Sequence, residues 1–282
     1  MTTKYIKSPL NYVGGKYKLL PQIIPLLPEE IDTFVDLFCG GLNIGVNVNA
    51  NTIIANDISK EVISFYQGLE KEGTKNALEK VKSRIEQFEL SKTNEEGFKK
   101  IREYYNQENR DWDVFYALLT NAFNYQIRFS KKGDFNTSFG KNRSSFNPNL
   151  EKNFIEFSNR IEEKNFIFST LNFEDFDINN LTKNDFVYID PPYLISTAPY
   201  NEQGGWGVNN ELKLLEFCDT LNEKGIRFAI SNVFEHKGFE NTYLKDWSKK
   251  YNTHYLDFHY KNSSYQGKKL DEKTIEVLIT NY

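Results

Sequence analysis

The hydrophobic pattern changes period several times along the chain. Thr33-Phe34-Val35-Asp36-Leu37-Phe38 is a short apolar run that ends in glycines and does not continue at helical spacing, which predicts a buried strand. Ile53-Ile54-Ala55-Asn56-Asp57 predicts a second strand, ending in an acid, and Ser59 then offers an N-cap to a helix burying Val62, Ile63, Tyr66 and Leu69. From about Glu70 to Arg110 the pattern is helical and highly charged, with Leu78, Val81, Ile85 and Phe88, then Phe98, Ile101 and Tyr105, at helical spacing. A further helix is predicted from Asp111, burying Phe115, Leu118 and Leu119. Between Tyr125 and Phe139 the helical period is lost, and Lys131-Lys132-Gly133-Asp134 reads as a hairpin turn between aromatic segments. Strand-like runs return at Phe166 to Phe168, Phe186 to Ile189, Ile226 to Ile230, Tyr255 to Tyr260 and Ile275 to Thr280, with a helix expected from Asn210 to Asn222.

This succession predicts an α/β fold with one sheet, interrupted between its second and third strands by a mostly helical insertion. The expected division is a main domain of residues 1–60 and 160–282, with the insertion at 61–159. A length of 282 residues, 39% of them hydrophobic and 26% charged, suits a chain with a substantial core. No apolar run is long enough to span a bilayer, and Met1 to Tyr5 lacks an apolar signal core, so a cytoplasmic location is expected. Cys39 and Cys218 are too few for a disulfide framework, and no metal site is expected; His236, His254 and His259 match no ligand spacing and read as surface or structural. A net charge of −4 argues weakly against nucleic-acid binding, but local charge matters more.

The chemistry concentrates in a few places. Asp190-Pro191-Pro192-Tyr193 follows the apolar run Phe186 to Ile189 and joins a carboxylate, a rigid turn and an aromatic face at a strand end, where open α/β sheets bind ligands. Such a turn can hold an amino group in plane and stack on its ring; it can equally be a plain proline turn with Tyr193 on the surface. Gly40, Gly41 and Gly45 after the first strand allow close backbone approach to a ligand, and Asp57 ends the next strand in a position suited to ribose hydroxyls. A tight turn and a helix cap account for the same residues. Lys16, in Asn11-Tyr12-Val13-Gly14-Gly15-Lys16-Tyr17, can meet a carboxylate or stay solvated. Arg128, Lys131, Lys132, Lys141 and Arg143 face only Asp134 among the acids of their stretch. That is either a solvated surface hairpin or a phosphate-binding segment, and the interleaved Phe123, Tyr125, Phe129, Phe135 and Phe139 favour the second.

In order along the chain, Tyr12-Val13-Gly14-Gly15-Lys16, Val35 to Gly41, Asn56-Asp57, Gly133 to Gly140, Asp190 to Tyr193 and the closing Glu276 to Tyr282 resemble the Dam-like, class α (D12 class) DNA adenine-N6 methyltransferases. The resemblance implies a Rossmann-like methyltransferase sheet with an inserted DNA-recognition domain containing a β-hairpin. It implies S-adenosylmethionine as cofactor, S-adenosylhomocysteine as product, and double-stranded DNA as substrate. The catalytic residues would be Asp190, Pro191, Pro192 and Tyr193, with Tyr12, Gly14, Gly15, Lys16, Asp36, Phe38, Gly40, Asp57, Asn172, Phe173 and Asp190 at the cofactor. DNA contacts would fall on Asn11, Phe123, Asn124, Gln126, Arg128, Lys131, Lys132, Asn136, Lys141 and Arg143, Arg128 reading a guanine; Lys261 to Lys273 offers a second basic stretch.

The implied reaction is direct methyl transfer to N6 of a flipped adenine in a GA-containing site, GATC being one option, by a monomer with or without a cognate restriction endonuclease. Leu42 stands where many members have a second glycine, and Asn11 and Gln126 depart from the family's DNA-contacting pattern, so the recognition sequence stays open. Cytosine C5 chemistry is excluded because neither cysteine follows a proline. The rivals are methylation of cytosine N4 and a non-catalytic module of the same fold that binds DNA or cofactor.

Overall fold

A computed structural model describes residues 4–107, 109–195, 205–257 and 274–282. Residues 258–260 of the strand expected at Tyr255 to Tyr260, His259 among them, and the basic stretch Lys261 to Lys273 lie outside the described residues. The elements through the middle of the chain are α1 (Leu20–Ile23), β1 (Thr33–Asp36), β2 (Thr52–Asn56), α2 (Lys60–Gln87), α3 (Glu95–Asn106), α4 (Trp112–Asn121) and α5 (Pro148–Glu163). Then come β3 (Asn165–Ser169), β4 (Phe186–Ile189), α6 (Val208–Glu223), β5 (Arg227–His236), β6 (Phe239–Glu240), α7 (Thr242–Trp247), β7 (Asn252–Leu256) and β8 (Thr274–Thr280). The architecture is mixed α/β, and the segment between β2 and β3 is mostly helical.

Two compact units divide the chain. The first comprises Met1–Tyr17, Cys39–Val48 and Thr52–Thr170. In it β2 and β3 pair in parallel, with Ile53 opposite Phe166 and Asn56 opposite Ser169. Helix α2 packs on α4 and α5 around a buried aromatic centre, where Phe65 stacks on Tyr116 at 4.8 Å and Tyr116 meets Phe154 at 5.2 Å. Gly73 breaks α2 with φ +72° and ψ 159°, a conformation reserved for glycine, and Glu162 of α5 accepts the Thr74 N–H beyond the break. Arg84 Nε donates to the buried Asp113 at 2.8 Å, tying the second half of α2 to α4.

Between α4 and α5 the chain is irregular, with isolated antiparallel bridges joining Ala122 to Phe139 and Phe129 to Phe135. The aromatic residues here turn inward. Phe135 is 1% exposed and meets Tyr105 and Phe115 edge-on, Phe129 stacks on Phe115, and Phe139 packs on Phe98. Three of the rings read from the sequence as available to bases are therefore anchors; Phe123, 41% exposed, is presented to solvent.

The second unit comprises Lys18–Phe38, Asn49–Asn51 and Leu171–Tyr282. Strands β1, β4 and β5 run in parallel, β8 pairs antiparallel with β5, and β7 pairs antiparallel with β8. All four residues of β4 are buried, and α6 covers β5 with Leu214, Leu215, Cys218 and Leu221 inward. The stretch from Lys16 to Leu26 is a 3-10 turn, one turn of α1 and a second 3-10 turn, because Pro21 and Pro25 each sit in a first turn where no backbone donor is required. Among the described residues no helix is long and apolar enough to cross a membrane.

Candidate active site

In the first unit the glycine turn is held from three sides. Cys39 N–H donates to Asn56 O at 2.8 Å, fixing the turn beside the end of β2. Gly40 has φ +44°, and a Cβ there would lie 2.9 Å from the Tyr12 ring, so the site demands glycine both for torsion and for space. Tyr66 of α2 donates its hydroxyl to Gly40 O at 2.6 Å. Leu42 also adopts a left-handed backbone, φ +54°, with its side chain wholly buried.

Asp57 is buried directly under this turn. Its Oδ2 accepts Gly40 N–H at 2.9 Å and its Oδ1 accepts Ser59 N–H at 2.8 Å. Burial pushes its pKa up, and these two amides oppose the shift. Ser59 does occupy the N-cap of α2, but its hydroxyl makes no capping bond and reaches Glu61 at 3.4 Å. Ahead of the turn, Gly15 N–H donates to Tyr12 O and Gly14 takes φ +81°. Lys16 is 4% exposed and donates to Gly14 O at 2.9 Å, which rules out the solvated alternative for it.

The residues expected at DNA fall in two groups, both in this unit. Asn11 Nδ2 donates to Asn124 O at 2.8 Å, Arg143 reaches Asn124 Oδ1 at 3.5 Å, and its guanidinium lies 4.9 Å from the Phe123 ring centre. The second group is Arg128 and Asn136: Nε donates to Asn136 Oδ1 and Nη2 to Asn136 O, each at 2.8 Å. Gln126 is half-buried and uses its carbonyl to accept the Thr137 hydroxyl, while Lys131, Lys132 and Lys141 are exposed.

In the second unit Asp36 closes β1 and is 2% exposed, and the next amide, Leu37 N–H, donates to Tyr188 O. Tyr188 lies wholly inside β4, its hydroxyl 2.7 Å from Ser231 of β5. Asp190 follows β4 directly. The Tyr193 hydroxyl donates to Glu276 Oε1 at 2.9 Å and lies 3.4 Å from Asp190 Oδ1. Burial, then the Glu276 and Asp190 carboxylates, push the Tyr193 phenol well above its ordinary pKa, so it stays a donor. Pro191 is buried and Pro192 half-buried behind this corner.

A second cluster of the same unit is aromatic. Phe38 and Phe173 lie 5.6 Å apart, and Trp206 meets each of them at 5.8 Å. Asn172 caps the short turn that carries Phe173 by accepting Glu174 N–H. Three residues of these clusters are not among the site candidates of the sequence: Glu276, Trp206 and Glu211, whose Oε2 accepts the Trp206 indole N–H at 2.9 Å. Glu276 had a readable signal, as the single acid inside the apolar closing strand. Trp206 and Glu211 carried none, because their role depends on contacts distant in the chain.

A model of the D12 class N6 adenine-specific DNA methyltransferases matches residues 12–262. Over its whole length the chain is 50% identical to the type II methyltransferase M.FokI of Planomicrobium okeanokoites and 46% identical to the modification methylase StsI of Streptococcus sanguinis, covering 44% of each. It is 31% identical, over 98% of its length, to the modification methylase LlaI of Lactococcus lactis subsp. lactis, covering 43% of it. The chain thus spans under half the length of these relatives. The order of motifs, the α/β architecture that carries them and the extent of these matches lead to one conclusion: the chain belongs to the D12 class N6 adenine-specific DNA methyltransferase family.

Proposed function

We propose that the chain transfers a methyl group from S-adenosylmethionine to N6 of an adenine in double-stranded DNA. The observation that carries this reading is the corner after β4, where Asp190 and Glu276 flank the Tyr193 hydroxyl and hold the aromatic ring and the carboxylate on one rigid strand end. The exocyclic nitrogen of adenine is a poor nucleophile because its lone pair is delocalised into the ring. The Asp190 carboxylate and the Pro191 carbonyl, accepting the two N6 hydrogens, localise that pair and aim it, so the gain is one of positioning and electrostatics. Tyr193 stacks on the base, which must leave the helix to arrive there, at a cost of about a few kcal/mol.

The donor set fits the cofactor. S-adenosylmethionine supplies an electrophilic methyl on a sulfonium. Tyr12, Gly14, Gly15, Lys16, Asp36, Phe38, Gly40, Asp57, Asn172, Phe173 and Asp190 are proposed to hold it: Lys16 at its carboxylate, Asp57 at the ribose hydroxyls, Asp36 and Asp190 toward the cationic end, Phe38 and Phe173 at the purine. The buried Asp57, already braced by two amides, keeps lone pairs for hydroxyl donors. Residues 61–159 are proposed as the target-recognition domain. Within it Phe123, Asn124, Gln126, Asn136, Lys131, Lys132, Lys141 and Arg143, together with Asn11 from outside it, hold DNA while Arg128 reads a guanine of a GA-containing site such as GATC. Relatives named modification methylases make a cognate restriction endonuclease the proposed context.

The test is transfer of labelled methyl from S-adenosylmethionine to varied duplex DNA, with digestion to nucleosides. N6-methyladenine is expected, and Asp190→Ala is expected to cut turnover by at least about 10²–10³-fold. Label appearing only in N4-methylcytosine or in protein, or DNA binding with no transfer, overturns the reading.

A further inference from the structure

Glu211 is a carboxylate with no solvent exposure, on the first turn of α6, outside every motif the reaction uses. Among the described residues its three side-chain partners are all neutral N–H donors. Oε2 accepts the Trp206 indole at 2.9 Å, and Oε1 accepts Asn241 Nδ2 at 2.7 Å and Asn232 Nδ2 at 3.3 Å. Asn232 lies on β5, and Asn241 is the N-cap of α7, accepting Leu244 N–H. Burying an acid without a cation is costly, and burial does raise the Glu211 pKa against these three donors. An apolar side chain would avoid that cost, and a glutamine would offer a single oxygen to three donors. A carboxylate suits this place only if fixing all three donors matters.

The donor that leads out of the core is the indole of Trp206. Its ring is edge-on to Phe38 at 81° and tilted against Phe173 at 48°, so the three rings form one apolar face. We infer that Glu211 is a positioning residue: by fixing Trp206 against Phe38 and Phe173 it makes that face rigid for the purine of the methyl donor. The inference rests on the proposed function, which assigns Phe38 and Phe173 to the purine. Rigid placement of an aromatic wall lowers the ordering cost of binding without touching the reacting atoms. Its effect therefore falls on cofactor affinity and not on the chemical step.

The experiment compares wild type, Glu211→Gln, Trp206→Phe and the double variant. Affinity for S-adenosylhomocysteine is measured by calorimetry, steady-state kinetics are measured with duplex DNA, and the indole ¹⁵N–¹H resonance of Trp206 is assigned by its loss in Trp206→Phe. Glu211→Gln is expected to move that resonance and to weaken cofactor affinity and raise the cofactor KM by about tenfold, with kcat changed by less than about twofold. Trp206→Phe removes the donor without altering a buried acid, so it keeps the test valid if Glu211→Gln fails to fold, and is expected to weaken affinity by about fivefold. The double variant is expected to be no weaker than the worse single one. An unmoved indole resonance, a fall in kcat at constant KM, additive losses, or unchanged affinity in Trp206→Phe would each overturn the inference. Failure of the function reading looks different: wild type would bind no cofactor while the indole resonance still moved in Glu211→Gln, which leaves the tie purely structural and refutes its cofactor role.

Discussion

Leu42 is the residue where the family comparison made in the sequence and the torsions of the turn meet. It stands where the resemblance read from the sequence implies a second glycine, and it adopts φ +54°, a conformation that costs an L-residue about 1–2 kcal/mol. Its side chain is wholly buried, and emptying a buried leucine site costs about 2–5 kcal/mol. The second effect is the larger, so Leu42→Gly is expected to destabilise the protein by roughly 1–3 kcal/mol even though it introduces the residue that the resemblance implies. Urea unfolding checks this, and a glycine variant as stable as wild type would show that the turn, not the packing, governs the position. The residue scale also separates what sequence can say from what it cannot. Asp190, Asp57 and Lys16 stand out as candidates in the sequence because each lies in a short motif. The partners that restrain such residues, Glu276 at Tyr193 and Tyr66 at Gly40, come from distant strands and helices. Lys16 has two open readings in the sequence, and its 4% exposure excludes the solvated one.

At the scale of elements, strands were legible wherever a run was uniformly apolar, and β4 was read to the residue. Strand β5 was cut short at Ile230 because Ser231 and Asn232 break the apolar run; both are buried, satisfied by Tyr188 and Glu211 from neighbouring elements. Helices α5 and α7 were missed, since α5 begins at Pro148 behind an asparagine-rich loop and α7 has a single buried residue, Leu244. The parallel ladder of β1 and β4 is reinforced at its start by a contact no pattern reveals. Asp185 accepts Thr33 N–H at 2.8 Å, Thr182 N–H at 2.7 Å and the Thr182 hydroxyl at 2.9 Å. Burial alone would raise its pKa, but these donors outweigh burial and hold it below the ordinary carboxylate value. Between the folded and unfolded pKa values the unfolded chain binds more protons, so the stabilisation is complete above the unfolded value and is lost as pH falls through the folded one. Asp185→Asn should therefore cost about 2 kcal/mol at neutral pH, and its deficit relative to wild type should shrink below about pH 4. Denaturant unfolding of both proteins at several pH values measures this, and an equal deficit at pH 3 and pH 7 would refute it.

At the scale of the whole molecule, a net charge of −4 has to be set against the proposed DNA substrate, a polyanion. Composition points weakly away from DNA, whereas the local arrangement of charge supports the proposal. Phe129, Phe135 and Phe139, read from the sequence as base contacts, are anchors that pin the segment to α3 and α4. The same anchoring leaves Lys131, Lys132, Lys141 and Arg143 exposed beside Arg128. The two views differ in sign. If net charge governed the encounter, salt would screen a repulsion and strengthen binding; if the anchored basic segment governs, each phosphate contact releases counterions and salt weakens binding. Four phosphate contacts, with Arg128 kept for a base, give a slope of about −4 in a plot of log K against log salt concentration. Replacing Lys131 and Lys132 together by alanine should reduce that slope by about 2 and weaken binding evenly across sequences, whereas Arg128→Ala should lower discrimination at one base pair by about 1–3 kcal/mol. Fluorescence anisotropy with a methylatable duplex and a scrambled one, from low to moderate salt, reads all of these, and a slope unchanged in the double lysine variant would remove the segment between Arg128 and Arg143 from the DNA interface.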